Sequence, residues 1–111
     1  MNNELLIIHL LHIFLIGGFL LYVGLKETAC PAFIYPTLMV VGASVFAAHA
    51  YYIYKSGGKN ANSWFHLLFV APLLILVGYS NKNTSHDMYR LILIAAFAAI
   101  TYHSYAIVRY A

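Results

Sequence analysis

Charge is what this sequence has least of. Six Lys and Arg and three Asp and Glu are all that 111 residues carry, so 8% of the chain is charged, against roughly a quarter in soluble domains. Cysteine occurs once, as Cys30, which excludes an internal disulfide and leaves the redox compartment open. The three acids are Glu4, Glu27 and Asp87, and none falls inside a long apolar run. That argues against a carboxylate-bridged di-iron centre and against carboxylate acid-base catalysis. No serine or cysteine stands in a recognisable pairing with a base, and no phosphate-binding glycine motif occurs, so hydrolysis and nucleotide chemistry are unsupported. Basic residues interleaved with aromatics, the pattern of a nucleic-acid surface, are missing too.

What the chain has instead is 63% hydrophobic residues. They gather into four runs, about Leu5 to Leu25, Ile34 to Tyr54, Trp64 to Tyr79 and Met88 to Val108. Each approaches the roughly 20 residues needed to cross a hydrocarbon core of about 30 Å. The third is short, but Ala61, Asn62 and Ser63 can start its helix ahead of the lipid. Polar-apolar alternation is lacking, so the runs predict helices and not a barrel. Glu4 stands where a signal peptide would be basic, and the first run is long enough to span, so it reads as a retained helix.

The connections "KETACPAF", "KSGGKNANS" and "SNKNTSHD" are short, and links of that length join antiparallel neighbours. The expected fold is all-α, an integral membrane four-helix up-down bundle forming a single transmembrane domain over 1–111. Both termini and the middle link share one face, side X. Asp87 is placed to start the fourth helix by accepting free backbone N–H groups. Side X carries Lys55, Lys59 and Arg109, and side Y carries Lys26, Lys82 and Arg90, so basic residues do not decide orientation. The net charge of +3 lies in these short loops and bears on topology and headgroups.

Sliding the sequence along itself until His12 falls on His66 also pairs Gly24 with Gly78, Tyr35 with Tyr89, His49 with His103, Tyr51 with Tyr105 and Ile53 with Ile107. Lys55 then falls opposite Arg109, and "HAYYIYK" matches "HSYAIVR" as H-x-Y-x-I-x-[K/R]. Two hairpins of similar sequence and equal orientation imply parallel two-helix repeats, about 5–57 and 61–111, related by a pseudo-two-fold axis along the membrane normal.

The repeat places the histidines. His12 precedes the side Y glycine Gly24 by the same interval as His66 precedes Gly78, and His49 follows the side Y tyrosine Tyr35 as His103 follows Tyr89. At about 1.5 Å per residue they sit roughly 18 and 21 Å from that surface, in one layer nearer side X. His9 is a possible fifth member on the same face as His12. Ionisable residues in spans usually face the interior and mark function, and imidazoles from diagonal helices can meet a metal on the axis. One ion held by His12, His49, His66 and His103 fits this geometry. So does b-type haem held axially by His49 with His103 or by His12 with His66. Small residues around His103, including Ala95, Ala96 and Ala99, leave room for a flat ring, whereas Phe46 and Tyr52 crowd the stripe of His49. Lys55 and Arg109 are candidates for propionate or headgroup contacts.

Plainer readings attach to the other residues. His9 near a helix end suits the hydrated headgroup boundary. Tyr51 and Tyr105 follow their histidines by about 200° of helix and read as interfacial anchors, not catalytic groups. Pro72, opposite Gly18, is a packing kink in mid-span, Gly17 and Gly18 are close-packing positions, and His86 is a solvated loop residue.

The stretches "WFHLLFVAPLLILVG" and "YRLILIAAFAAITYHSYAIVR", chiefly through His66, Pro72, Gly78, Tyr102, His103 and Tyr105, resemble uncharacterised small four-helix membrane proteins of large DNA viruses of algae and protists. That resemblance implies a viral or host-cell membrane and no particular activity. By analogy the histidine layer is also similar to that of four-helix membrane cytochromes with bis-histidine haem, whose further sequence signatures are absent here.

The sequence thus leads to an integral, multi-pass membrane protein binding b-type haem or a transition metal ion, with electron transfer as its role. A redox partner or a second copy of the chain is the expected protein partner, and hydrolase or transferase activity is not expected. The rivals are a proton or ion channel gated by histidines titrating near pH 6, and a structural or assembly protein whose histidines only bond helices together.

Overall fold

A computed structural model describes residues 1–110. Among the described residues there are four long helices and no strand: α1 (Asn3–Ala29), α2 (Ile34–Lys55), α3 (Ala61–Asn83) and α4 (His86–Tyr110). All four are long and apolar enough to cross a membrane. The third begins at Ala61, as its flanking residues predict.

Local chemistry sets the helix ends. The Asn2 side chain accepts the Leu5 N–H at 2.8 Å, and the Asn60 side chain accepts the Ser63 N–H at 3.1 Å. Each satisfies a donor that the first helical turn leaves free. At α4 the Ser85 hydroxyl accepts the Met88 N–H, and Asp87 lies inside the first turn. A hydroxyl two positions upstream reaches the free N–H groups from outside the helix, as a capping side chain must. Pro36 lies in the first turn of α2, where a missing N–H costs nothing.

Both α1 and α3 are irregular at matching places. A π-helical turn occupies His12–Ile16 in α1 and His66–Val70 in α3. Each of these helices ends in a 3-10 turn, Glu27–Ala29 or Asn81–Asn83, whose first residue has positive φ: 51° at Glu27 and 56° at Asn81. The second π turn runs up to Pro72, which cannot donate a helical hydrogen bond, but the first precedes Gly18 and contains no proline. Proline is therefore not what the widened turn requires.

The chain divides into two compact units. One holds Met1–Glu27 with the segment from Tyr89 onward, and the other holds Thr28–Met88. The first unit thus pairs α1 with α4. Its core includes Leu20, Val23, Tyr89, Ile92 and Ala96, all buried. Gly24 lets the helices close, because a Cβ there would stand 2.5 Å from Leu93 Cγ, and one at Gly17 would stand 2.6 Å from Ile100 Cγ1.

The second unit pairs α2 with α3 around Tyr35, Leu38, Ala71, Leu74 and Val77. A Cβ at Gly78 would meet Met39 Cγ at 2.5 Å and the Tyr35 carbonyl at 2.6 Å, and one at Gly42 would meet the Ala71 carbonyl at 3.1 Å. Lys82 closes one end of this unit. Its ammonium donates to the carbonyls of Thr28 and Cys30 and lies 5.3 Å from the centre of the Tyr35 ring.

Candidate functional site: two histidine clusters

In the first unit three histidines come together. His12 bonds through Nδ1 to the Ile8 carbonyl one turn back, at 2.7 Å. A carbonyl only accepts, so this Nδ1 carries the hydrogen and Nε2 holds the lone pair of the neutral ring. The same carbonyl also receives the His12 backbone N–H. A side chain that back-bonds in this way competes with the helical ladder, and here the turn that follows is the π turn. The His12 ring stacks on that of His103, centroids 4.4 Å apart and planes 28° apart. His103 is 8% exposed, and its Nδ1 meets Nδ1 of His9 at 2.7 Å. One of those two nitrogens donates and the other accepts.

The second unit holds the same arrangement with one change. His66 bonds through Nδ1 to the Asn62 carbonyl at 2.8 Å, and its ring stacks on His49 at 4.3 Å with planes 12° apart. Nδ1 of His49 meets the Ser63 hydroxyl at 3.0 Å. Ser63 therefore occupies the place that His9 holds in the first unit, and it is 1% exposed.

The structure brings His9, His12 and His103 together in one unit and His49 with His66 in the other. Sequence reasoning missed Ser63. The signal for it was present, since the offset that carries His12 onto His66 carries His9 onto Ser63, but serine opposite histidine is not an identity and does not register as a match. His9 belongs to the cluster through its bond to His103, which the headgroup-boundary reading leaves out. Tyr51 and Tyr105 are exposed, in keeping with outward-facing anchors. The Lys55 ammonium lies 6.0 Å from the centre of the Tyr51 ring, and Arg109 is exposed in the last turn of α4. His86 is exposed and is the first residue of α4.

Among the described residues no group of three or more His, Cys, Asp or Glu is gathered as a metal cage. The chemical capacity of the clusters lies in imidazoles taken two at a time. Their Nδ1 atoms are spent on protein groups, which aims the opposite ring nitrogens of His12 and His66 as bases or ligands. Compared with known proteins, the chain matches no family model, no curated protein and no solved structure.

Proposed function

We propose that this chain is a four-span integral membrane protein, threaded up and down by its short connections and built by duplication of a helical hairpin. Its histidine pairs hold a transition metal ion or b-type haem for electron transfer, in the viral or host-cell membrane that the sequence resemblance implies. Support for the duplication comes from features that recur at the repeat offset: the π turns, the positive-φ residues Glu27 and Asn81, and the back-bonded histidines.

The observation that carries the ligand reading is the anchoring of His12 and His66 through Nδ1 to backbone carbonyls. Ligating histidines characteristically give their second nitrogen to such an acceptor, which fixes tautomer and ring orientation. Each anchored ring has a second imidazole stacked beside it. The lone pair of a ring nitrogen lies in the plane of its ring, so rings stacked with planes 12° or 28° apart do not aim at one ion as they stand, and joint ligation requires one ring of each pair to turn about its side-chain bonds. Haem needs axial ligands on opposite faces of the iron. Within a unit, then, a stacked pair does not supply both axial ligands of one iron either. Imidazole ligands favour zinc, copper, nickel or iron over magnesium or calcium.

A second reading rests on the His9–His103 contact. At 2.7 Å between Nδ1 atoms it has room for one hydrogen and none for a metal, which favours proton conduction along hydrogen-bonded imidazoles.

The test is an absorption spectrum, oxidised and dithionite-reduced, with elemental analysis of the same detergent-purified sample. Stoichiometric transition metal without haem bands selects the ion, and a Soret band with sharp reduced bands selects haem. Either ligand should fall at least tenfold in occupancy in His12→Ala or His66→Ala and persist in His86→Ala. A colourless, metal-free protein after attempted reconstitution overturns the ligand reading, and proton flux into liposomes then tests the second.

A further inference from the structure

Each compact unit takes one helix from each half of the chain. The sequence repeat relates α1 to α3 and α2 to α4, yet α1 packs in a unit with α4, and α2 in a unit with α3. The contacts inside the two units correspond position by position. Gly24 lies against Leu93 in one unit and Gly78 against Met39 in the other, and the repeat offset relates both members of the first pair to those of the second. His12 stacks on His103 as His66 stacks on His49. Nδ1 of His103 meets the side chain at position 9, and Nδ1 of His49 meets the side chain at position 63. The face that α1 offers to α4 is therefore the face that α3 offers to α2.

In an ordinary helical hairpin a helix packs on the neighbour to which it is tied. That holds for α2 and α3, which the link between them ties together and which pack in one unit, but not for α1, whose partner α4 is the helix farthest from it along the chain. The halves are joined covalently only through the link between α2 and α3. That link contains Gly57 and Gly58 at φ 65° and 84°, and a Cβ added at either would meet nothing within 4 Å. Its own bonds are local: the Gly58 N–H to the Ile53 carbonyl, the Asn60 N–H to the Ser56 hydroxyl, and the Trp64 indole N–H to the Gly58 carbonyl. The link tethers the halves without supplying the surface that holds either unit together.

Resting on the duplication reading above, we infer that this helix-pairing face is a self-association surface: residues 1–57 are held by residues 58–111 without need of the link, and a second copy of the chain can supply the same partner. Exchange of identical elements between copies is a low-cost route to dimers when an element packs on a face that any copy presents. The occupant is thus a second copy of this chain, engaged through the contacts already made within each unit.

The experiment places a protease site between Gly57 and Gly58 of the full chain, in two versions that carry different tags, one at the N-terminus and one at the C-terminus. Each is purified in mild detergent and cleaved, and the two are then mixed. The expected result is that residues 1–57 and 58–111 co-elute after cleavage. Capture through the C-terminal tag of one version should then bring down the N-terminally tagged fragment of the other. Separation of the fragments on cleavage overturns the inference, as does co-elution without exchange between versions. The uncleaved chain with the inserted site, run alongside, must elute like the unaltered chain, which separates this result from a folding failure. Neither metal content nor colour enters the readout, so the ligand reading can fail while this one stands.

Discussion

Ser63 and Lys82 show how single side chains hold this protein together where carboxylates are scarce. Ser63 is buried and supplies the partner of His49 Nδ1. Ser63→Ala leaves a part-buried ring nitrogen without that partner, and leaving such a group unmet costs about 1–3 kcal/mol. The variant should unfold earlier in detergent by that amount, measured by loss of helical circular dichroism, and on the proposed ligand reading its metal affinity should fall roughly 10- to 100-fold. Unchanged stability and affinity would show that the contact is incidental. Lys82 collects two carbonyls and an aromatic face at the end of its unit. Lys82→Met keeps most of the stem but loses the donor, so it should cost about 1 kcal/mol by the same measurement. The role of Lys82 is not visible in sequence, because an amine that meets the carbonyls of Thr28 and Cys30, far away along the chain, leaves no local pattern.

At the scale of helices the glycines set the approach, and their surroundings rank them. The space beside Gly78 is bounded by backbone, the Tyr35 carbonyl and the Met39 N, whereas Gly24 faces mainly the Leu93 side chain. A backbone carbonyl on a packed helix yields less readily than a leucine side chain that can change rotamer. Gly78→Ala should therefore destabilise by about 1–3 kcal/mol, and Gly24→Ala by distinctly less, in thermal unfolding of the detergent-solubilised protein. The reverse order would mean that α2 and α3 can shift apart more freely than their contacts indicate. Helix existence was legible in the runs of apolar residues. The π turn at His12–Ile16 was not, since it contains neither proline nor glycine and arises where a histidine side chain loads the carbonyl of Ile8.

For the whole molecule the proposed threading makes a prediction of sidedness. In a Cys30→Ala background, cysteines introduced at Gly58 and Tyr110 should react with an impermeant maleimide from one side of sealed vesicles, and cysteines at Glu27 and Lys82 from the other. Labelling of Gly58 and Lys82 from the same side would refute the up-and-down path. The two histidine clusters belong to this scale as well. The repeat offset tells which histidines are equivalent, and from it His12 pairs with His66 and His49 with His103. Equivalence is a statement about sequence position, while contact depends on which helix packs on which. The rings that meet within a unit are His12 with His103 and His49 with His66.

The sequence by itself determined the number of long apolar helices, the short connections between them and the positions of the histidines within them. Spanning length and the scarcity of charge are local quantities, summed along one segment at a time. The tertiary structure alone decided that α1 finds its partner in α4 and α2 in α3, that His9 meets Nδ1 of His103 and Ser63 meets Nδ1 of His49, and that the imidazoles stack in pairs. The physical reason is that four apolar helices of similar composition offer near-equal burial to one another. The choice among them then rests on close fits such as Gly24 at Leu93 and Gly78 at Met39, which exist only once the two backbones are in place.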